Sequence, residues 1–84
     1  MDRADVLKTI KNIINDSLDL NIEEIKEDTL LIIIGIDSIA MMSLIIYLEE
    51  EYNIEINFDD EMIMEFSNMT IGNLINSVLS SING

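Results

Sequence analysis

The sequence predicts an all-α fold, a four-helix bundle with one short helix and a long loop between the first and second helices. Three observations predict it. Apolar residues recur at helical spacing in four separate stretches. Residues that favour helix N-termini (Asp37-Ser38, Asp59-Asp60 and Thr70) stand where three of those stretches begin. The chain has 84 residues and is 49% apolar, enough for one small core and too apolar for a disordered acidic tail.

The first helix is expected from about Arg3 to Leu18. Its Val6, Ile10, Ile13 and Ile14 fall at i, i+4, i+7 and i+8 and make one apolar stripe. A connection from Asp19 to Asp37 follows, much longer than the ~2–8 residues usual between bundle helices. Ile22, Ile25 and Leu30 are expected to pin it to the core. The second helix is expected from about Ser38 to Tyr52. It is apolar nearly all round for three turns and closes with Glu49-Glu50-Glu51. The third is short, about Asp59 to Phe66, with Met62, Ile63 and Phe66 at helical spacing. The fourth runs from Thr70, its natural N-cap, to Ile82. Ile71, Leu74, Ile75, Val78, Leu79 and Ile82 give it the cleanest amphipathic pattern in the chain.

Composition excludes whole function classes. Four Lys and Arg oppose 17 Asp and Glu, a formal charge of −13, which repels nucleic-acid phosphate and anionic membrane surfaces. There is no His and no Cys, so the commonest general base, thiolate catalysis, disulfides and zinc sites are all missing. No metal site is expected. Asp19-x-Asn21-x-Glu23 opens like an EF-hand loop, but Glu24 stands where Gly is needed and Leu30 where the final carboxylate belongs. Leu30 to Leu48 is a 19-residue window with one charge, Asp37. A membrane span is rejected, because mid-membrane Asp costs ~2.5–3.5 kcal/mol and no basic residue follows Lys26. With no signal peptide at the start, a cytoplasmic monomer is expected, one domain over residues 1–84 and free-standing. Residues 27–84 hold 11 acids and no base, so self-repulsion should weaken the fold at low ionic strength.

One local motif carries chemistry: Gly35-Ile36-Asp37-Ser38-Ile39. It reads as a loop feeding a helix N-terminus, where free N–H groups and the helix dipole favour an anion. A phosphate on Ser38 is therefore accommodated. Ser38 is not expected to act as a nucleophile by itself, since no base lies near it in sequence to activate it. On its own, Asp-Ser before an apolar helix is simply a cap. The wider pattern changes that reading.

From Asp28 to Ile82 the chain resembles the acyl carrier and peptidyl carrier protein superfamily. The resemblance rests on Gly35-x-Asp37-Ser38-Ile39, then Leu44, then Leu48-Glu49-Glu50-Glu51-Tyr52-x-Ile54-x-Ile56, and then Thr70-Ile71-x-x-Leu74, in order and without a gap. It implies an acyl-carrier-like bundle and a non-catalytic tether. Ser38 would receive 4′-phosphopantetheine from coenzyme A through a separate phosphopantetheinyl transferase that uses Mg²⁺. The thiol of the arm would carry an acyl or aminoacyl group as a thioester. Asp37 would help dock the transferase. Ile36, Ile39, Met42, Ser43, Ile46, Glu49 and Glu50 would face partners, namely a loading enzyme and a downstream synthase or transferase.

The chain departs from fatty-acid carriers in one respect. Leu31-Ile32-Ile33, Ala40 and Ser43 occupy positions that are commonly acidic there. If Leu31, Ile32, Ile33, Ile36, Ile39, Met42 and Ile46 are half exposed, they form an apolar patch of the kind that marks an interface. That favours a carrier of a specialised pathway (polyketide, non-ribosomal peptide or aminoacyl transfer) over the general fatty-acid type. The alternative is a helical adaptor that binds a partner through this patch and carries no prosthetic group.

Overall fold

The computed structural model describes residues 2–57 and 59–83, without the side chain of Asn83. The described residues form α1 (Arg3–Asp16), α2 (Ser38–Tyr52), α3 (Asp60–Met64), a 3₁₀ turn (Phe66–Asn68) and α4 (Ile71–Asn83), with no strand. The expected all-α bundle is the fold.

Helix α1 opens on a reciprocal cap. The Asp5 amide donates to the Asp2 carboxylate at 2.9 Å, and the Asp2 amide donates back to Asp5 at 3.4 Å. The helix ends at Asp16, two residues before the expected end. The amides of Ser17 and Leu18 both turn back to the Ile13 carbonyl, and Asp19 takes a positive φ of 56° that no helix continues through. Val6, Ile10 and Ile14 are buried along one stripe, and Ile13 packs against the core from its edge.

The long connection is held by specific bonds and not only by its apolar residues. The side-chain amide of Asn15 brackets Ile22, accepting from its N–H at 2.8 Å and donating to its carbonyl at 3.0 Å. Ile25 is buried, and Ile22 packs against the core. Leu30 contributes through its backbone, as an isolated antiparallel bridge with Thr70. Leu31 N–H donates to the Met69 carbonyl at 3.0 Å and Ile71 N–H to the Thr29 carbonyl at 2.9 Å. One turn earlier, Gly72 N–H donates to the Glu27 carbonyl at 2.8 Å. A Cβ on Gly72 would stand 3.0 Å from that oxygen and press on the loop backbone, so glycine suits the close approach.

Helix α2 buries Met41, Leu44, Ile45 and Leu48 and stops at Asn53, which takes the left-handed conformation at φ 54°. The third helix is shorter than expected from Asp59 to Phe66. It is capped by Asp59, whose carboxylate accepts from the Met62 amide at 3.0 Å, and it buries no residue. Glu65 leaves helical geometry, and Phe66 begins the 3₁₀ turn. Only Met62 and Phe66 lean on the core there, which is too little apolar contact to continue an α-helix. Ile63 points to solvent instead of completing that face. Helix α4 is capped by Thr70 and Asn73, each side chain accepting from the other's amide, at 3.2 and 2.9 Å. Its Ile71, Leu74, Ile75 and Val78 are fully buried, and α1 packs against both α4 and α2.

Candidate functional site

Ser38 is the first residue of α2 and is exposed. The turn before it is set by three backbone bonds. Ile33 N–H donates to the Leu30 carbonyl at 3.2 Å, Gly35 N–H to Ile32 at 3.3 Å, and Ile36 N–H to Leu31 at 3.1 Å. Gly35 takes φ +93°, a region closed to side chains, which lets the chain reverse into the helix. Asp37 is the N-cap in extended conformation. Its carboxylate accepts from the Ala40 amide at 2.8 Å, and its carbonyl accepts from the Met41 amide at 2.8 Å.

That cap leaves the Ser38 and Ile39 amides as the free first-turn donors of a 15-residue helix. The Ser38 hydroxyl has no hydrogen-bond partner among the described residues. A phosphodiester on this oxygen would lie in solvent at the positive end of the helix, and no side chain would have to move to admit it. The residues present therefore fit a phosphate-linked group. Among the described residues, no three His, Cys, Asp or Glu side chains are placed to hold a metal ion.

On α2, Ile39, Met42 and Ile46 are exposed by 75%, 53% and 52%, spaced i, i+3 and i+7 along one face. Ser43 is half-buried between them, and Glu50 is exposed at the far end. Glu49 is half-buried, and one of its carboxylate oxygens accepts from the Ile56 amide at 2.9 Å. It therefore closes the link after α2 and is only partly available to a partner. The two methionines divide cleanly, with Met41 in the core and Met42 outside.

Two expectations need correction. Ile36 and Leu31 were placed on the apolar patch, but they are only 1% and 0% exposed. The turn exposes Ile32 and Ile33 and directs the residues on either side inward. Ile36 is thus a core residue and not a docking contact. The sequence reading also missed Tyr47, which is exposed beside Ile46. Its spacing from Ile39 (i+8) and Ser43 (i+4) was the available signal.

An open groove of about 370 Å³ lies between the α3 region and α4, with Met62 and Met69 among acidic and amide side chains. Neither Ser38 nor Ile45 nor Ile63 lines it. Ile45 packs in the core, while Ile63 is on the surface. No helix among the described residues is long and apolar enough to cross a membrane; the window from Leu30 to Leu48 is divided by the cap at Asp37.

A family model described as "Phosphopantetheine attachment site" matches residues 8–78. No curated protein and no solved structure matches the chain.

Proposed function

The chain belongs to the phosphopantetheine attachment site family, whose domains carry covalently attached 4′-phosphopantetheine, and from that premise we propose that Ser38 is the attachment residue. The observation that carries this reading is the exposed Ser38 hydroxyl at the first turn of α2, inside the matched span. In the transfer, a bond forms between Ser38 Oγ and the pantetheine-bearing phosphorus of coenzyme A. The pyrophosphate P–O bond breaks, adenosine 3′,5′-bisphosphate leaves, and the hydroxyl proton passes to a base of the transferase or to water. The attached arm supplies a thiol that holds an acyl or aminoacyl group as a thioester. The chain itself contributes the nucleophile, the cap and the docking face, and no catalysis.

The transferase would meet Asp37 through the carboxylate oxygen that the helix cap leaves free. Loading enzymes and a downstream synthase or transferase would meet Ile39, Met42, Ser43, Ile46 and Glu50, with a smaller part for Glu49. Because the centre of this face is apolar and its ends are acidic, the partner that fits it has an apolar pocket flanked by Lys or Arg. Such docking supports a specialised pathway over the general fatty-acid type. The reading takes residues 1–84 as a single carrier domain, a monomer of the cytoplasm, where coenzyme A is supplied.

Intact mass after incubation with coenzyme A, Mg²⁺ and a broad-specificity phosphopantetheinyl transferase tests the attachment. The expected result is a gain of one phosphopantetheinyl group, abolished in Ser38→Ala with the melting temperature unchanged. A folded wild-type protein that gains nothing beside a modified control carrier would overturn the reading and leave an adaptor that binds through the apolar face.

A further inference from the structure

We propose that Ile36 is the positioning residue for Ser38, a buried anchor that registers the serine against the start of α4. The inference rests on the reading of Ser38 as the attachment site. Between Gly35 and Ile39 every side chain is exposed except that of Ile36. Its amide donates to the Leu31 carbonyl at 3.1 Å. Leu31 is itself fully buried, and its amide donates to the Met69 carbonyl at 3.0 Å. The Thr29 carbonyl accepts from the Ile71 amide at 2.9 Å. Met69 and Ile71 flank Thr70, the cap of α4. Two buried side chains and three backbone bonds thus link the start of α4 to the residue just before the cap of α2.

Ser38 hangs between two anchors, Ile36 on one side and Met41 on the other, both in the core. Gly35 gives the chain free rotation immediately before Ile36. Without the isoleucine side chain, Asp37 is held only by the backbone bonds of the turn and by its own bonds to Ala40 and Met41, with no buried side chain from Gly35 to Ala40 to seat them against the core. The first turn of α2 would fray. The contacts offered to a transferase by Met42 and Ile46 lie beyond the first turn and stay in place. Loss of the anchor therefore misplaces the nucleophile while leaving docking intact. A misplacement of ~1 Å can cost about 100-fold in rate.

The test compares Ile36→Ala with Ile10→Ala, the same deletion at a fully buried site in α1. Both are assayed with coenzyme A, Mg²⁺ and the transferase at a temperature where circular dichroism shows them folded. The expected kcat of Ile36→Ala is at least ~10-fold below wild type with KM within about twofold, and Ile10→Ala stays near wild type. Hydrogen exchange at the Ala40 and Met41 amides is expected to accelerate in Ile36→Ala alone. Where the alanine variants unfold, Ile36→Val and Ile10→Val replace them, with Ile36→Val still slower than its partner. Equal losses in the two variants, or a change confined to KM, would overturn the proposal. A wild-type chain that accepts no group overturns the attachment reading, and this inference falls with it. A modified wild type with an unimpaired Ile36→Ala overturns the inference alone.

Discussion

Among the described residues, the Arg3 side chain hydrogen-bonds to three others. Its guanidinium donates to Glu27 at 2.9 Å and to the Asn76 side chain at 2.6 Å, and reaches the Gly72 carbonyl at 3.5 Å. One side chain thus ties α1 to the connecting loop and to α4. The Arg3 hydrogen bond holds the Glu27 carboxyl below its ordinary value against an opposing desolvation, with the smallest contribution from the Arg3 charge. A carboxyl depressed in the folded state stabilises above its unfolded pKa, and that contribution disappears as pH falls through the folded value. In Arg3→Gln the Glu27 titration is expected to return upward towards the ordinary glutamate range. The melting-temperature gap between the two proteins should narrow on acidification below that range, read by NMR titration and thermal denaturation. An unchanged Glu27 midpoint would remove the ion pair as the cause.

The helices differ in what makes them stable. Helix α4 combines four fully buried apolar residues with a two-way cap, so its register is fixed at both levels. Thr70→Ala removes the hydroxyl that accepts from Asn73 and is expected to cost about 1 kcal/mol, measured by urea unfolding. Thr70→Ser should recover most of it. Helix α3 has a cap but no buried residue, so it ends after five residues and gives way to the 3₁₀ turn. Helix α2 is apolar almost all round, yet it is only half-embedded. Its inner face meets the core, and its outer face leaves Ile39, Met42, Ile46 and Tyr47 in water. Burying one such side chain is worth ~1.5–3 kcal/mol, a gain left for a partner to realise.

Across the whole molecule the charges are unevenly placed. Of the four basic side chains, Arg3 binds Glu27, Lys11 donates to the Glu23 carbonyl at 2.6 Å, and Lys26 stands 3.8 Å from Glu24. All four basic residues, Lys8 included, lie in α1 or the connecting loop, and of the 11 acids after Lys26 only Glu27 meets a base among the described residues. Their mutual repulsion is spread over a body only 31 × 27 × 21 Å across. Screening shortens the reach of such repulsion to ~8 Å at physiological ionic strength. Added NaCl or Mg²⁺ is therefore expected to raise the melting temperature, Mg²⁺ at lower concentration. A flat response in scanning calorimetry would show that the acids are too far apart to matter.

The sequence by itself determined the all-helical order and where α2 and α4 begin, with Ser38 at the first position of α2. Apolar spacing of 3.6 and capping side chains are local properties, so α2 begins at Ser38 and α4 follows Thr70 as read from the residues alone. The motif from Gly35 to Ile39 was legible for the same reason, because a glycine, a cap and a hydroxyl are defined within a few residues. Tertiary structure alone decided which apolar residues were core and which were surface. Leu31, Ile32, Ile33 and Ile36 are chemically near-identical, and no periodicity in an irregular turn separates the two that are buried from the two that are exposed. Their sorting depends on the backbone bonds that tie Leu31 to Met69 and Thr29 to Ile71, partners some 40 residues apart in the chain. The roles of Glu49, Asn15 and Arg3 were hidden likewise, since each binds a group that the fold, and not the local sequence, brings within reach.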